Sequence, residues 1–118
     1  LSSAPPENWS SILKQEIIQL ETKSEDPYSV NLWIVNIDNT PYVYSGDNYS
    51  TWAENIFEEK NVILKAGGRL FKMEANRVLD AQIFEKFASA WETKYGNRPM
   101  NENYNETYLF ALSKRLEN

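Results

Sequence analysis

The stretch Asn61-Val62-Ile63-Leu64-Lys65-Ala66-Gly67-Gly68-Arg69-Leu70-Phe71-Lys72-Met73-Glu74-Ala75-Asn76-Arg77-Val78 decides the fold. Two runs of extended-chain residues flank a Gly-Gly pair, and only a residue that takes positive φ without cost turns a chain that tightly. After the turn, Phe71, Met73 and Ala75 alternate with Lys72, Glu74 and Asn76, the period-2 signature of a strand with one apolar and one wet face. The segment therefore predicts an antiparallel hairpin, strand Asn61 to Ala66 answered by strand Leu70 to Val78.

Upstream lies a second hairpin. Tyr28 to Asp38 is rich in β-branched and aromatic residues (Val30, Trp33, Ile34, Val35, Ile37), and Tyr42 to Ser45 returns after Asp38-Asn39-Thr40-Pro41, where Asp and Asn side chains can bond their own backbone. Gly46-Asp47-Asn48-Tyr49 ends that strand; Ser50 then offers an N-cap to a short helix over about 50–59, with Trp52, Ile56 and Phe57 at helical spacing and Glu54 in the first turn. Further upstream, Asn8 can cap a helix over about 8–15 whose face carries Trp9, Ile12 and Leu13. Ile17 to Thr22 suits either a continuation of that helix or a strand. Residues 1–7, Leu-Ser-Ser-Ala-Pro-Pro-Glu, read as a flexible lead-in arm to a single domain over 8–118.

Downstream the period becomes helical. Ile83, Phe84, Phe87, Trp91 and Tyr95 form a packing stripe, Asp80 can cap it, and Gly96 with Pro99 ends it. Residues 107–116 suit a helix through Leu109, Leu112 and Leu116 or a buried strand through Tyr108 to Leu112, and a strand is the expectation taken. The sum is an α+β domain, an antiparallel, hairpin-built sheet or small barrel with terminal and inserted helices.

Composition narrows the chemistry. The 118 residues include no His and no Cys, which excludes Cys/His zinc sites, His-based catalytic triads, cysteine nucleophiles and disulfides. With 12 Lys+Arg against 17 Asp+Glu, a net charge of −5 and no basic run, nucleic acid is not an expected partner. The longest apolar run, Leu32 to Val35, is too short to span a bilayer, so no membrane insertion is expected. The start at Leu1 fits a cytoplasmic protein or an exported one after signal-peptide removal, and the sequons at Asn8, Asn48 and Asn105 carry no inference in a chain so rich in Asn, Ser and Thr.

The order Tyr42-Val43-Tyr44-Ser45-Gly46, Ser50-x-Trp52-x-x-Asn55-Ile56, Val62 to Gly68 and Met73 to Val78, behind the strand Leu32 to Val35, resembles the flavin-binding split β-barrels of the pyridoxamine-phosphate-oxidase-like superfamily. It is most similar to the deazaflavin-dependent nitroreductase-like branch and its small uncharacterised relatives, over about residues 17–96. That resemblance implies a homodimer that binds FMN or a deazaflavin. It also implies a cofactor loop made here by Ser45, Gly46, Ser50, Trp52 and Asn55, with Trp33 near the ring edge.

The sequence departs from the pattern in charge. The loop reads Asp47-Asn48-Tyr49-Ser50-Thr51-Trp52, without the Arg and Lys that flavin-phosphate binders place there, so any compensating cation must come from elsewhere, with Lys23, Lys65 and Arg69 as candidates. Each site residue also has a plain structural role open to it: Trp52 and Trp33 as packing, Ser45-Gly46 as turn chemistry, Asn55 as a backbone bridge. Tyr42, Tyr44 and Tyr49 surround the same region, while Glu54 and Glu58 share a solvated helix face. Three functions stay open: a flavin or deazaflavin oxidoreductase of unknown substrate; a non-catalytic ligand-binding or structural dimer, with no cofactor, that has lost the phosphate-binding residues; and an exported module that docks through its Tyr- and Trp-rich surface.

Overall fold

The computed structural model describes residues 2–46 and 50–115. Its elements are β1 (Ser2–Ser3), β2 (Ile17–Thr22), β3 (Tyr28–Ile37), β4 (Thr40–Ser45), α1 (Thr51–Glu58), β5 (Asn61–Ala66), β6 (Arg69–Arg77), α2 (Ala81–Tyr95) and β7 (Tyr108–Lys114). The strands run in the order β6-β5-β2-β3-β4-β7, and β7 pairs back onto β6, so six antiparallel strands close into a barrel. Closure removes the free edges that an open sheet of this length would expose.

Both expected hairpins form, on turns with left-handed backbone. Gly67 and Gly68 sit at φ 60° and 73°, and Asp38 and Asn39 at 50° and 62°. Two consecutive positive φ values match the right-handed strand twist, which is why Gly-Gly and Asp-Asn occupy these corners.

The interior is filled by the alternate residues the pattern marked: Ile18 and Leu20, Ile34, Val43, Val62 and Leu64, Phe71, Met73 and Ala75, Phe110 and Leu112. Trp52, Ala53 and Ile56 of α1 enter the same cluster, as do Trp9 and Leu13, with the Trp9 ring edge-on to Phe71 at 5.0 Å. A second cluster lies under α2, where Phe84 and Phe87 pack on Val35 and Leu109 with Tyr42 and Tyr44 beside them. Asp80 caps α2 by accepting from the amides of Gln82 and Ile83 at 2.9 and 3.0 Å, and Gly96, at φ 90°, ends it.

The structure settles the ambiguous segments and corrects two expectations. Residues 17–22 are a strand, because β3 and β5 both offer partners: Leu20 faces Val30 on one side and Leu64 on the other. Residues 108–114 are a strand too, inserted between β4 and β6. The expected helix over 8–15 is only a 3-10 turn, Ile12–Lys14. There Asn8 Oδ1 accepts from the Ser10 amide and hydroxyl at 2.8 and 2.7 Å, a local bond that competes with helical pairing, and Gln15 is already extended for β2.

The lead-in is no free arm. Ser2 and Ser3 pair in parallel with Leu70 and Phe71, on the edge of β6 that β7 leaves uncovered, and Asn39 Nδ2 donates to the Glu7 carbonyl at 2.6 Å. The prolines that bar a helix there do not bar a two-residue edge strand.

Candidate functional site

A cavity of about 690 Å³ opens where the end of β4, the start of α1 and the chain after α2 converge on the outer side of β3. Trp33 of β3 supplies one wall; Tyr44, Ser45 and Gly46 supply the β4 end; Ser50 and Trp52 bring in α1; and Trp91 with Asn97, Arg98, Met100 and Asn101 closes the α2 side. The volume falls in the range of ordinary cofactor pockets, and the walls are chiefly aromatic.

The aromatic side chains support one another. Trp33 stacks on Tyr95 at 4.1 Å and 11° and meets Trp91 at 5.2 Å; Trp91 in turn stands edge-on to Tyr44 at 5.4 Å. Trp33 is still 44% exposed, whereas Trp52 is 6% exposed and packs edge-on to Phe110 at 5.7 Å. Trp52 is thus chiefly a core residue that reaches the cavity at its margin, while Trp33 presents surface to a ligand.

The polar groups are equally placed. Tyr44 Oη donates to the Asn101 carbonyl at 2.5 Å, fixing the loop after α2 to the end of β4. Burial raises the Tyr44 phenol, the Asn101 bond partly opposes that, and the Glu102 charge adds to it, so Tyr44 holds its proton more tightly than an exposed phenol. The hydroxyls of Ser45 and Ser50 bond one another across the gap between β4 and α1. A Cβ on Gly46 would lie 3.1 Å from Tyr44 Oη, so glycine leaves that phenol its position.

Arg98 is the one cation among the described lining residues, and carboxylates hold it. It meets Glu102 at 2.7 Å, Glu85 at 3.0 Å and Glu92 at 3.9 Å. Hydrogen bonds that Arg98 donates to Glu102 first, then to Glu85, push the guanidinium above its ordinary value, and the same contact lowers the Glu102 carboxyl. One guanidinium against three carboxylates leaves this side net negative.

Set against known proteins, the closed barrel with a helix between β4 and β5 has clear structural counterparts. Neither a protein-family model nor a curated protein sequence matches the chain. A structure described as a putative pyridoxamine 5'-phosphate oxidase from Listeria innocua superposes with a TM-score of 0.70 at 16% identity, over 91% of this chain and 90% of that one. The chain has the split-barrel fold. A NimC/NimA family protein from Clostridium acetobutylicum (TM-score 0.69, 12% identity, 86% of this chain and 76% of that one) and a FAD-binding protein from Mesorhizobium loti (0.63, 14%, 91% and 87%) share it.

Of the six residues singled out from the sequence of this split barrel, Trp33, Ser45, Gly46, Ser50 and Trp52 line this cavity. Asn55 does not; it is buried, and its Nδ2 donates to Thr22 Oγ1 at 3.0 Å, tying α1 to β2. Lys23, Lys65 and Arg69 do not supply charge to the cavity either: Lys23 pairs with Glu58 at 3.9 Å, Lys65 with Glu21 at 3.2 Å, and Arg69 lies over Phe71. Tyr42 packs under α2, and Tyr49 lies outside the described residues. Trp91, read as packing only, is also cavity wall, as are Asn97, Arg98, Met100 and Asn101 of the turn that follows. The signal for that turn was Gly96, which breaks α2 and sends the chain back toward β4.

Proposed function

We propose that this cavity binds the flat tricyclic ring of a flavin or deazaflavin, so that the chain works as a flavin-type redox module of unknown substrate. The observation that carries the reading is the aromatic wall of Trp33, Trp91 and Tyr44, held rigid by mutual contacts between three different elements and open on the Trp33 side. The names given to the Listeria and Mesorhizobium structures point in the same direction. A ring of this kind supplies hydride chemistry that a chain without His or Cys has no obvious side chain to perform.

The ring fits this donor set; a phosphate does not. Tyr44 and Asn97 offer neutral polar groups beside aromatic faces, whereas the lining cation Arg98 is already engaged by three carboxylates. In this reading Trp33 and Trp91 orient the ring and exclude water from one side of it, and Ser45 and Ser50 close the β4–α1 end. Two copies meeting over the exposed Trp33 side would complete the enclosure, which is why a homodimer belongs to the proposal. Absence of the ring leaves the second reading, a non-catalytic barrel.

Lumiflavin, which is the ring without any tail, is the direct probe. Saturable quenching of tryptophan fluorescence that is lost in Trp33→Ala is the expected result. Indifference of the folded protein to lumiflavin and to 5-deazaflavin alike removes the reading.

A further inference from the structure

Resting on the ring-binding reading, we infer that the cavity selects a phosphate-free ligand, a neutral ring compound of the riboflavin class, over its phosphorylated forms. The argument is electrostatic. Arg98 lines the cavity but points two of its nitrogens at carboxylates: Nε to both Glu102 oxygens at 3.1 and 3.2 Å, and Nη2 to Glu102 at 2.7 Å and to both Glu85 oxygens at 3.1 and 3.0 Å. Nη1 lies 3.9 Å from Glu92. A phosphate that sought this guanidinium would displace an existing bidentate partner and then sit among three carboxylates.

The opposite side of the cavity offers no substitute. Ser45 and Ser50 hold each other's hydroxyls, and α1 carries Glu54 in its first turn, where an anion would otherwise gain from the helix end. Lys23 and Lys65 are committed to Glu58 and Glu21 on other faces. Among the described lining residues a dianionic tail therefore meets no free cation, while the hydroxyl-bearing tail of riboflavin meets Asn97, Asn101 and the serines, neutral groups that can hydrogen-bond to it.

The test compares riboflavin with FMN by calorimetry on the intact chain. Riboflavin binding about five- to tenfold more tightly than FMN at low ionic strength is expected, with the gap narrowing as salt screens the repulsion. Replacing both Glu85→Gln and Glu102→Gln leaves Arg98 with only the 3.9 Å contact to Glu92, and the preference should then move toward FMN. FMN binding as tightly as riboflavin or tighter, or a selective loss of FMN affinity in Arg98→Gln, overturns the inference and leaves ring binding intact. Failure of both compounds to bind overturns the two together.

Discussion

At the scale of single residues, the cavity depends on a few bonds that tie distant segments. Tyr44→Phe deletes the donor to Asn101 and should cost about 1 kcal/mol in denaturant unfolding, the usual net worth of such a bond, while loosening the turn after α2. Asn55→Ala leaves the Thr22 hydroxyl without its donor inside the β2–α1 contact, and about 1–2 kcal/mol should be lost with lumiflavin affinity unchanged. An equal loss of affinity would restore Asn55 to the site. The resemblance placed Asn55 with the cavity through the pattern Trp52-x-x-Asn55, but its side chain is spent on Thr22 of β2, while Trp52 beside it reaches the cavity only at its margin. Alkaline titration reads the phenols as a group. Burial raises Tyr42, Tyr44 and Tyr95 above 10.0, so the unfolded chain loses these protons first, and their contribution is intact below pH 10 and lost as pH rises beyond it. Lys94, lowered from 10.5 by burial, acts with the opposite sign and gains stability as pH approaches that value. With three phenols against one amine, unfolding free energy measured against pH should decline above about 10; a rise there would contradict the burial of these tyrosines.

At the scale of elements, the turns fix the register on which every wall of the cavity rests. Gly67 and Gly68 occupy left-handed backbone, where a Cβ costs roughly 1–2 kcal/mol per residue. Gly68→Ala has open space around its new methyl and should show only that backbone cost, whereas the methyl of Gly67→Ala would also press on Ile12 at 3.4 Å, so it should be the more destabilising in thermal unfolding. Equal effects would mean that Ile12 yields freely. These turns were legible because Gly-Gly and Asp-Asn announce positive φ through local chemistry alone. Residues 8–15 were not, since Trp9, Ile12 and Leu13 fit a helical stripe equally well whether the chain completes a helix or merely drops two side chains into a barrel. Residues 17–22 and 108–114 were ambiguous for a related reason: each strand is defined by partners far away in sequence, β5 for the first and β6 for the second, and no local pattern contains that information. The same holds for Arg98 and Trp91, which join the cavity only because α2 folds across β3 and β4.

At the scale of the whole molecule, barrel closure and surface charge act against each other in any self-association. Closure by β7 gives each of the six ring strands a neighbour on both sides, so a second copy is expected to meet the chain through side chains rather than by extending the sheet. Trp33 at 44% exposure and the fully exposed Met100 flank the cavity mouth and are apolar surface that such a contact would cover. Each copy carries a net charge of −5, which opposes the encounter at long range and is screened within about 10 Å at 0.1 M salt. Sedimentation should therefore return about twice the 13.8 kDa chain mass at moderate ionic strength, with dissociation favoured as salt is withdrawn. Met100→Ser, which removes fully exposed apolar surface at the mouth, should shift the equilibrium toward monomer without lowering the thermal stability of the dissociated chain by more than a small surface effect, whereas Trp33→Ala should shift it too but also lose the Tyr95 and Trp91 contacts. A single-chain mass at every salt concentration would leave the Trp33 side open to solvent. Ring binding would then have to draw all its enclosure from Trp91, Tyr44 and the turn at residues 97–101.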